Sequence, residues 1–276
     1  PRYYVLSFFF TVPAPTAFYP LPLPDALPIY YYDGLGVREA LRQRYPTYTK
    51  SRDADMLRSE HIPFNLFAPL IGRPELTNRL LYRILGVELL PPYQIEPEWS
   101  PKPAEKYLGD RTSFDTYIKG ADDHGRVVGV GIEVKYTEQG YRLGPSEALR
   151  VKNPGSTYWT TTRESGVFTN GGCKLLATDD LRQIWRNHLL GLKMRAVGDL
   201  DRFISVTICP SGNGHMSRAL SRYQGLLTDR KSTRLNSRHV VISYAVFRLK
   251  NKISIATLYI YLSNLTFILT SQTHKR

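Results

Sequence analysis

The sequence predicts an α/β fold, because a β-hairpin lies between segments whose apolar residues recur at helical spacing. Residues 127–132 form a short, apolar, β-branched run that is typical of a buried strand, and residues 113–118 predict its partner. Residues 122–125 contain two aspartates and a glycine, which favour a turn between the strands. The roughly 200 residues around this hairpin are enough for one domain with a sizeable hydrophobic interior.

Three helices and one short strand are predicted before the hairpin. Residues 36–48 and 52–71 have helical spacing, and a third helix begins at Pro74 and ends at Gly86. Residues 93–96 predict a strand between two proline-rich loops.

The segment after the hairpin begins with a long connection. Residues 138–177 are rich in Gly, Thr and Ser and predict an irregular segment. A helix is then predicted through Lys193, with Thr178 as its N-cap. Residues 203–209 predict another strand, and residues 215–227 predict a final helix.

Polar side chains suited to hydrolysis lie at the open end of the hairpin. Side chains alternate across a strand, so Glu133 and Lys135 share one face while Val134 points into the core. The turn brings Asp115 alongside them. Two carboxylates and the Val134 carbonyl are oxygen ligands that suit Mg²⁺, and Lys135 could orient an attacking water. The pattern therefore predicts a metal-dependent phosphodiesterase.

A structural interpretation of the same residues stays open. A Glu-x-Lys triplet commonly marks a solvated strand face with an ion pair, and an aspartate near a turn commonly caps it. Glu96 and Glu98 are either acidic neighbours of the site or part of an exposed loop. The apolar strand before Lys135 favours the functional interpretation, because an unpaired charge there would be costly.

Four segments resemble successive landmarks of the PD-(D/E)XK nuclease superfamily, in particular its restriction-endonuclease-like bacterial branch. These segments are residues 59–70, 107–115, 132–138 and 183–190. Asp115 matches the motif aspartate, Glu133 the acidic residue and Lys135 the lysine, whereas Phe114 stands where the motif has proline. The resemblance implies a small central mixed β-sheet flanked by helices, a restriction-endonuclease-like fold.

The resemblance also implies accessory residues and partners. Members of the superfamily often add an acidic residue from the first helix, and Glu60 is the candidate for a further metal ligand. Gln183 is a candidate catalytic residue and Arg186 a candidate phosphate contact. The implied function is a Mg²⁺-dependent endonuclease, with Mn²⁺ as a substitute. It would cut nucleic acid, in particular double-stranded DNA, in restriction or genome defence, with a homodimer as one arrangement. An inactive nucleic-acid-binding module and a non-functional fragment remain alternatives.

Both ends of the chain differ from the middle. Residues 229–239 resemble one translated reading frame of a sequencing adapter, and residues 21–29 resemble a frame of the opposite adapter. We therefore expect residues 1–30 and 229–276 to be non-native, which leaves residues 31–228 as the nuclease-like domain.

Composition adds little once these ends are set aside. The chain has a net charge of +13, but the segment from Asp229 holds nine of the 37 basic residues and only one of the 24 acidic ones. Net charge is therefore no argument for a nucleic-acid partner. Residues 253–269 are apolar but too short for a membrane helix. The two cysteines, Cys173 and Cys209, have no metal-ligand spacing, which predicts a cytoplasmic protein.

Overall fold

The fold is taken from a computed structural model. It describes residues 4–10, 35–47, 60–85, 88–135, 143–169, 173–210, 213–228, 240–242, 260–262 and 265–267. The strands are β1 Tyr4–Phe10, β2 Leu90–Trp99, β3 Phe114–Ala121, β4 Val127–Val134, β5 Arg202–Pro210, β6 Val240–Ile242, β7 Ile260–Leu262 and β8 Leu265–Phe267. The α-helices are α1 Val37–Arg44, α2 His61–Phe67, α3 Pro74–Leu85, α4 Pro145–Lys152, α5 Thr157–Glu164, α6 Cys173–Leu176, α7 Arg182–Ala196 and α8 Gly214–Gly225. Short 3₁₀ helices span Ala68–Leu70 and Ala104–Lys106.

A five-stranded mixed sheet forms the centre, with strand order β1-β5-β4-β3-β2. Strands β2, β3 and β4 are antiparallel neighbours, whereas β4, β5 and β1 run parallel. Helices α2 and α3 pack against the sheet through one apolar cluster, which includes Ile132 and Val134. Helices α7 and α8 contribute to a second cluster, which includes Phe114 and Phe203. This architecture confirms the predicted α/β fold with a mixed sheet between helices.

Helix α7 lies close to the sheet because two glycines leave room for aromatic rings. A Cβ atom on Gly191 of α7 would lie 2.0 Å from the Phe203 ring of β5. A Cβ atom on Gly131 of β4 would lie 2.5 Å from the Phe114 ring. The absence of both side chains lets Phe114 and Phe203 pack at 5.6 Å between ring centroids under the helix. The depth of α7 in turn decides which of its side chains reach β4.

The predicted hairpin and the later elements are largely present. The turn contains Gly125 at φ +71°, and Asp122 accepts hydrogen bonds from backbone N–H groups of the turn. Three predictions were wrong in detail. The segment predicted as an irregular connection contains α4 and α5 within residues 143–169. Helix α7 begins at Arg182, four residues after the predicted N-cap at Thr178. Strand β2 begins and ends outside the predicted residues 93–96.

The end segments also contain described strands. Strand β1 pairs in parallel with β5 at one edge of the sheet, and β6, β7 and β8 form a separate three-stranded sheet. The non-native origin of residues 1–30 and 229–276 concerns how the sequence arose, so it stays a prediction. In the described part of the chain, no helix has both the length and the apolar character that crossing a bilayer requires.

Candidate active site

Three acidic residues lie side by side across neighbouring strands at one end of the sheet. The antiparallel register of β3 and β4, continued by one residue, sets Asp115 opposite Glu133. The register of β2 and β3 sets Glu98 beside Asp115. The structure therefore brings together the aspartate and the Glu-x-Lys triplet that the sequence singled out.

Glu133 is a buried carboxylate with three side-chain donors. Lys135 forms an ion pair with its Oε1 atom, and both side chains are only 5% exposed. Gln183 Nε2 donates to the same oxygen at 2.5 Å, and Asn187 Nδ2 donates to Oε2. Gln183 and Asn187 are one helical turn apart on α7, so one face of this helix holds both carboxylate oxygens. The carboxylate of Glu133 is thus fixed in orientation before any substrate binds.

Asp115 is held from the opposite strand but remains electrostatically crowded. The backbone N–H of Val134 donates to its Oδ2 atom at 2.6 Å. Burial and the nearby Glu133 carboxylate raise the pKa of Asp115 well above its usual range, against the opposing effects of Lys135 and the Val134 N–H. The fold therefore holds this carboxyl where a negative charge is costly unless a cation is supplied.

Glu98 extends the acidic cluster on β2. Burial raises its pKa to about 7, and the charges of Glu60 and Glu133 act in the same direction. The backbone of Glu98 has φ +53°, and its carbonyl accepts a hydrogen bond from Arg44 Nε at 2.9 Å. Glu60 directly precedes α2, and its effect on Glu98 links it to this end of the sheet. Its role as a metal ligand stays a prediction.

The donor set fits a divalent cation through two carboxylates. Oxygen ligands are what Mg²⁺ prefers, and a carboxylate has about four acceptor positions. Glu133 accepts two donors on Oε1 and one on Oε2, which leaves a position on Oε2 for a cation. Asp115 accepts a hydrogen bond on Oδ2. Among the described residues, no group of three or more His, Cys, Asp or Glu side chains is arranged to hold a metal ion.

Arg186 lies on α7 but is engaged with protein groups. Its Nη1 atom is 3.1 Å from Glu147 Oε1, and its Nε donates to Thr112 Oγ1 at 3.3 Å. Arg182 contacts the same Glu147 carboxylate at 3.2 Å. These contacts tie α4 to α7. The predicted phosphate contact by Arg186 therefore stays a prediction, and a bound phosphate would compete with Glu147.

Asn187 is the residue that the sequence interpretation missed. It lies four positions after Gln183 on α7, the spacing that places two side chains on the same helical face. That spacing was a usable signal once Gln183 was selected. For Glu98 the sequence leaves two roles open, an acidic neighbour of the site or part of an exposed loop, because the prolines around it favour a loop.

One comparison with known proteins identifies a family. A family model described as the PD-(D/E)XK nuclease superfamily matches residues 37–251, a range that contains all the site residues above. The matched range continues past residue 228, and the predicted domain boundaries stay predictions. Neither the curated proteins nor the solved structures gave a match. Nucleases of this superfamily generally use divalent metals, and their substrates are nucleic acids.

Proposed function

We propose that this chain, which belongs to the PD-(D/E)XK nuclease superfamily, is a Mg²⁺-dependent endonuclease. It would act on double-stranded DNA in restriction or genome defence. The observation that carries the proposal is the position of Asp115 opposite Glu133, with Lys135 at the Glu133 carboxylate. Family membership supports nuclease activity. The metal, the DNA substrate and the biological setting are the parts we propose.

The residues that would hold the metal are the two facing carboxylates and one backbone carbonyl. Asp115 and Glu133 would supply carboxylate oxygens, and Val134 would supply its carbonyl. When bound, a divalent cation lowers the pKa of a coordinated water and neutralises charge on the phosphate. Mn²⁺ would serve as a substitute because it accepts the same oxygen ligands.

The side chains of this chain would then orient the reactants. Gln183 and Asn187 keep the Glu133 carboxylate in one orientation through their amide donors. The ammonium group of Lys135 contacts the Glu133 carboxylate. This cation can orient the attacking water and stabilise the negative charge that develops on the phosphate oxygens. The contact of Lys135 with the Glu133 carboxylate supports this role.

The decisive experiment compares Glu133→Gln with wild type in cleavage of supercoiled plasmid, using the full chain in Mg²⁺ and in EDTA. We expect wild type to nick plasmid only with Mg²⁺. The variant should lose at least about 100-fold in cleavage rate, because removing even a residue that only hydrogen-bonds to a metal ligand costs about 10- to 100-fold in activity. Glu164→Gln removes an exposed carboxylate at the end of α5 and serves as the matched control. Circular dichroism establishes that all three proteins are folded.

A second candidate function is supported by the Glu133–Lys135 ion pair itself. Two buried opposite charges satisfy each other, as they would in a nucleic-acid-binding module without catalysis. The same experiment separates the two functions. Plasmid bound by folded wild type without Mg²⁺-dependent nicking would favour the binding module and reject the endonuclease.

A further inference from the structure

A cavity of about 250 Å³ lies between strands β2 and β3 and the C-terminal end of helix α7. Its lining combines aromatic rings with charged and amide groups. The lining includes Gln94, Trp99, Tyr107, Tyr117, Lys119 and Asp199.

The cavity shares strands β2 and β3 with the candidate catalytic residues Glu98 and Asp115. Tyr117 lies two positions after Asp115 on β3, so both side chains project from the same face, about 7 Å apart along the strand. Trp99 directly follows Glu98 on β2. The cavity also includes Lys119, four positions after Asp115, so a group held in it would lie about 7 to 13 Å along the strand from a phosphate held at Asp115 and Glu133.

The wall of the cavity is a fixed aromatic stack. The rings of Trp99 and Tyr117 are nearly parallel, with centroids 4.0 Å apart and an interplanar angle of 14°. Tyr117 is fully buried, whereas Trp99 is only partly buried. Tyr117 therefore supports one face of the Trp99 indole, and a flat ligand could stack on Trp99 without a prior rearrangement of the wall.

The remaining lining offers hydrogen-bond donors and acceptors. Asp199 is held in place by Lys106 Nζ and by the Tyr107 hydroxyl, each at 2.6 Å. These bonds use one acceptor position on each of its oxygens and leave others for a ligand. Lys119 adds an ammonium donor, and the exposed Gln94 adds an amide. An aromatic wall with a carboxylate, an amide and an ammonium group suits a planar heterocycle that both donates and accepts hydrogen bonds.

We infer that this cavity binds one nucleobase of the substrate strand, about one or two nucleotides from the phosphate that is cleaved. The inference rests on the proposed function, since it assumes a nucleic-acid substrate. Trp99 is the stacking platform, and Gln94, Lys119 and Asp199 contact the edge of the base. A base in this cavity has left its helical stack, so a double-stranded substrate must unpair that base before it fills the cavity.

The test is the affinity of the full chain for a 12-nucleotide single strand and for the same strand with abasic sites in place of all bases. Fluorescence anisotropy is measured in Ca²⁺, which is used to limit cleavage. We expect the base-containing strand to bind at least about five-fold more tightly to wild type, because base–aromatic stacking has this magnitude. Trp99→Leu should bring the two affinities together, whereas Tyr82→Leu, at an exposed tyrosine of α3, should leave their ratio unchanged.

Gln94→Ala provides a second variant that leaves the aromatic stack intact. Gln94 is exposed, so its truncation should not affect folding, and it should reduce the ratio about two-fold through the lost hydrogen bond. Equal affinities of wild type for both strands, or an unchanged ratio in Gln94→Ala and in folded Trp99→Leu, would overturn the base site alone. Binding of neither strand would overturn the nucleic-acid substrate and the base site with it.

Discussion

Each end of the β3–β4 hairpin holds carboxylates, but the two ends differ in how the negative charge of these carboxylates is compensated. At the turn end, Asp122 is 2% exposed and accepts backbone N–H groups of His124 and Arg126 at 3.0 Å. Arg126 and Arg202 each donate to its second oxygen at 2.9 Å. Burial alone would raise the pKa of Asp122, but the hydrogen bonds from the two arginines and from the two backbone N–H groups together outweigh it and lower the pKa.

At the open end, the carboxylates outnumber the cations. Asp115 and Glu133 face each other with Glu98 alongside, and Lys135 is the cation in contact with Glu133. The amides of Gln183 and Asn187 orient Glu133 without adding charge. Burial and the neighbouring Glu133 carboxylate together raise the pKa of Asp115. We conclude that the carboxylate paired with arginines stabilises the fold, whereas the group with more carboxylates than cations is suited to bind a cation from solution.

The largest effect should come from breaking the compensated end. Asp122→Asn removes the charge that pairs with Arg126 and Arg202 while keeping the side-chain shape. We expect the free energy of unfolding to fall by about 2 kcal/mol, because one buried partner is lost and the arginines retain partial access to water. Urea denaturation at pH 7 measures this.

Asp123→Asn is the matched control for that change, since the neighbouring Asp123 side chain is 75% exposed. It should alter the free energy of unfolding by less than about 0.5 kcal/mol. Equal effects at the two positions would mean that the arginine contacts of Asp122 do not contribute to stability.

A smaller effect is expected from loosening the open end without removing a charge. Asn187→Ala removes the donor to Glu133 Oε2 and should lower both Mg²⁺ affinity and cleavage rate by about 10- to 100-fold. Isothermal titration calorimetry with Mg²⁺ provides a measure that does not depend on turnover. Lys193→Ala, on the same helix, is the control. Unchanged Mg²⁺ affinity in Asn187→Ala would show that Asn187 does not position Glu133 for the metal.

The residues at the open end were accessible to sequence interpretation because their placement follows local rules. Alternation along β4 sets Glu133 and Lys135 on one face, and the turn at Asp122 sets Asp115 opposite them. The contact of Asn187 follows only in part from a local rule, since its spacing from Gln183 sets the helical face but not the distance to β4. It depends on the depth at which α7 packs, which the close approach of Gly191 to Phe203 determines.

The elements that were mispredicted have their own physical causes. Strand β2 contains three prolines, at Pro91, Pro92 and Pro97, which favoured loops. It forms because β2 is an edge strand, where a missing N–H is tolerated. Helix α4 has no buried residue among its eight positions, so its sequence has no apolar stripe to indicate a helix.

A change of pH should alter the stability contributed by the two ends of the hairpin in opposite directions. The lowered pKa of Asp122 means that its stabilising contribution is present above the unfolded value of about 3.9 and is lost only as pH falls below it. The raised pKa of Asp115 means that stability is complete below about pH 3.9 and declines as pH rises through the folded value. In EDTA at pH 8, Asp115→Asn should therefore be more stable than wild type, and Asp122→Asn less stable. On acidification towards pH 4, the Asp115→Asn difference should shrink, whereas the Asp122→Asn difference should persist. Urea unfolding from pH 3.5 to 8 measures both curves, and differences of the same sign would contradict the contrast between the two ends.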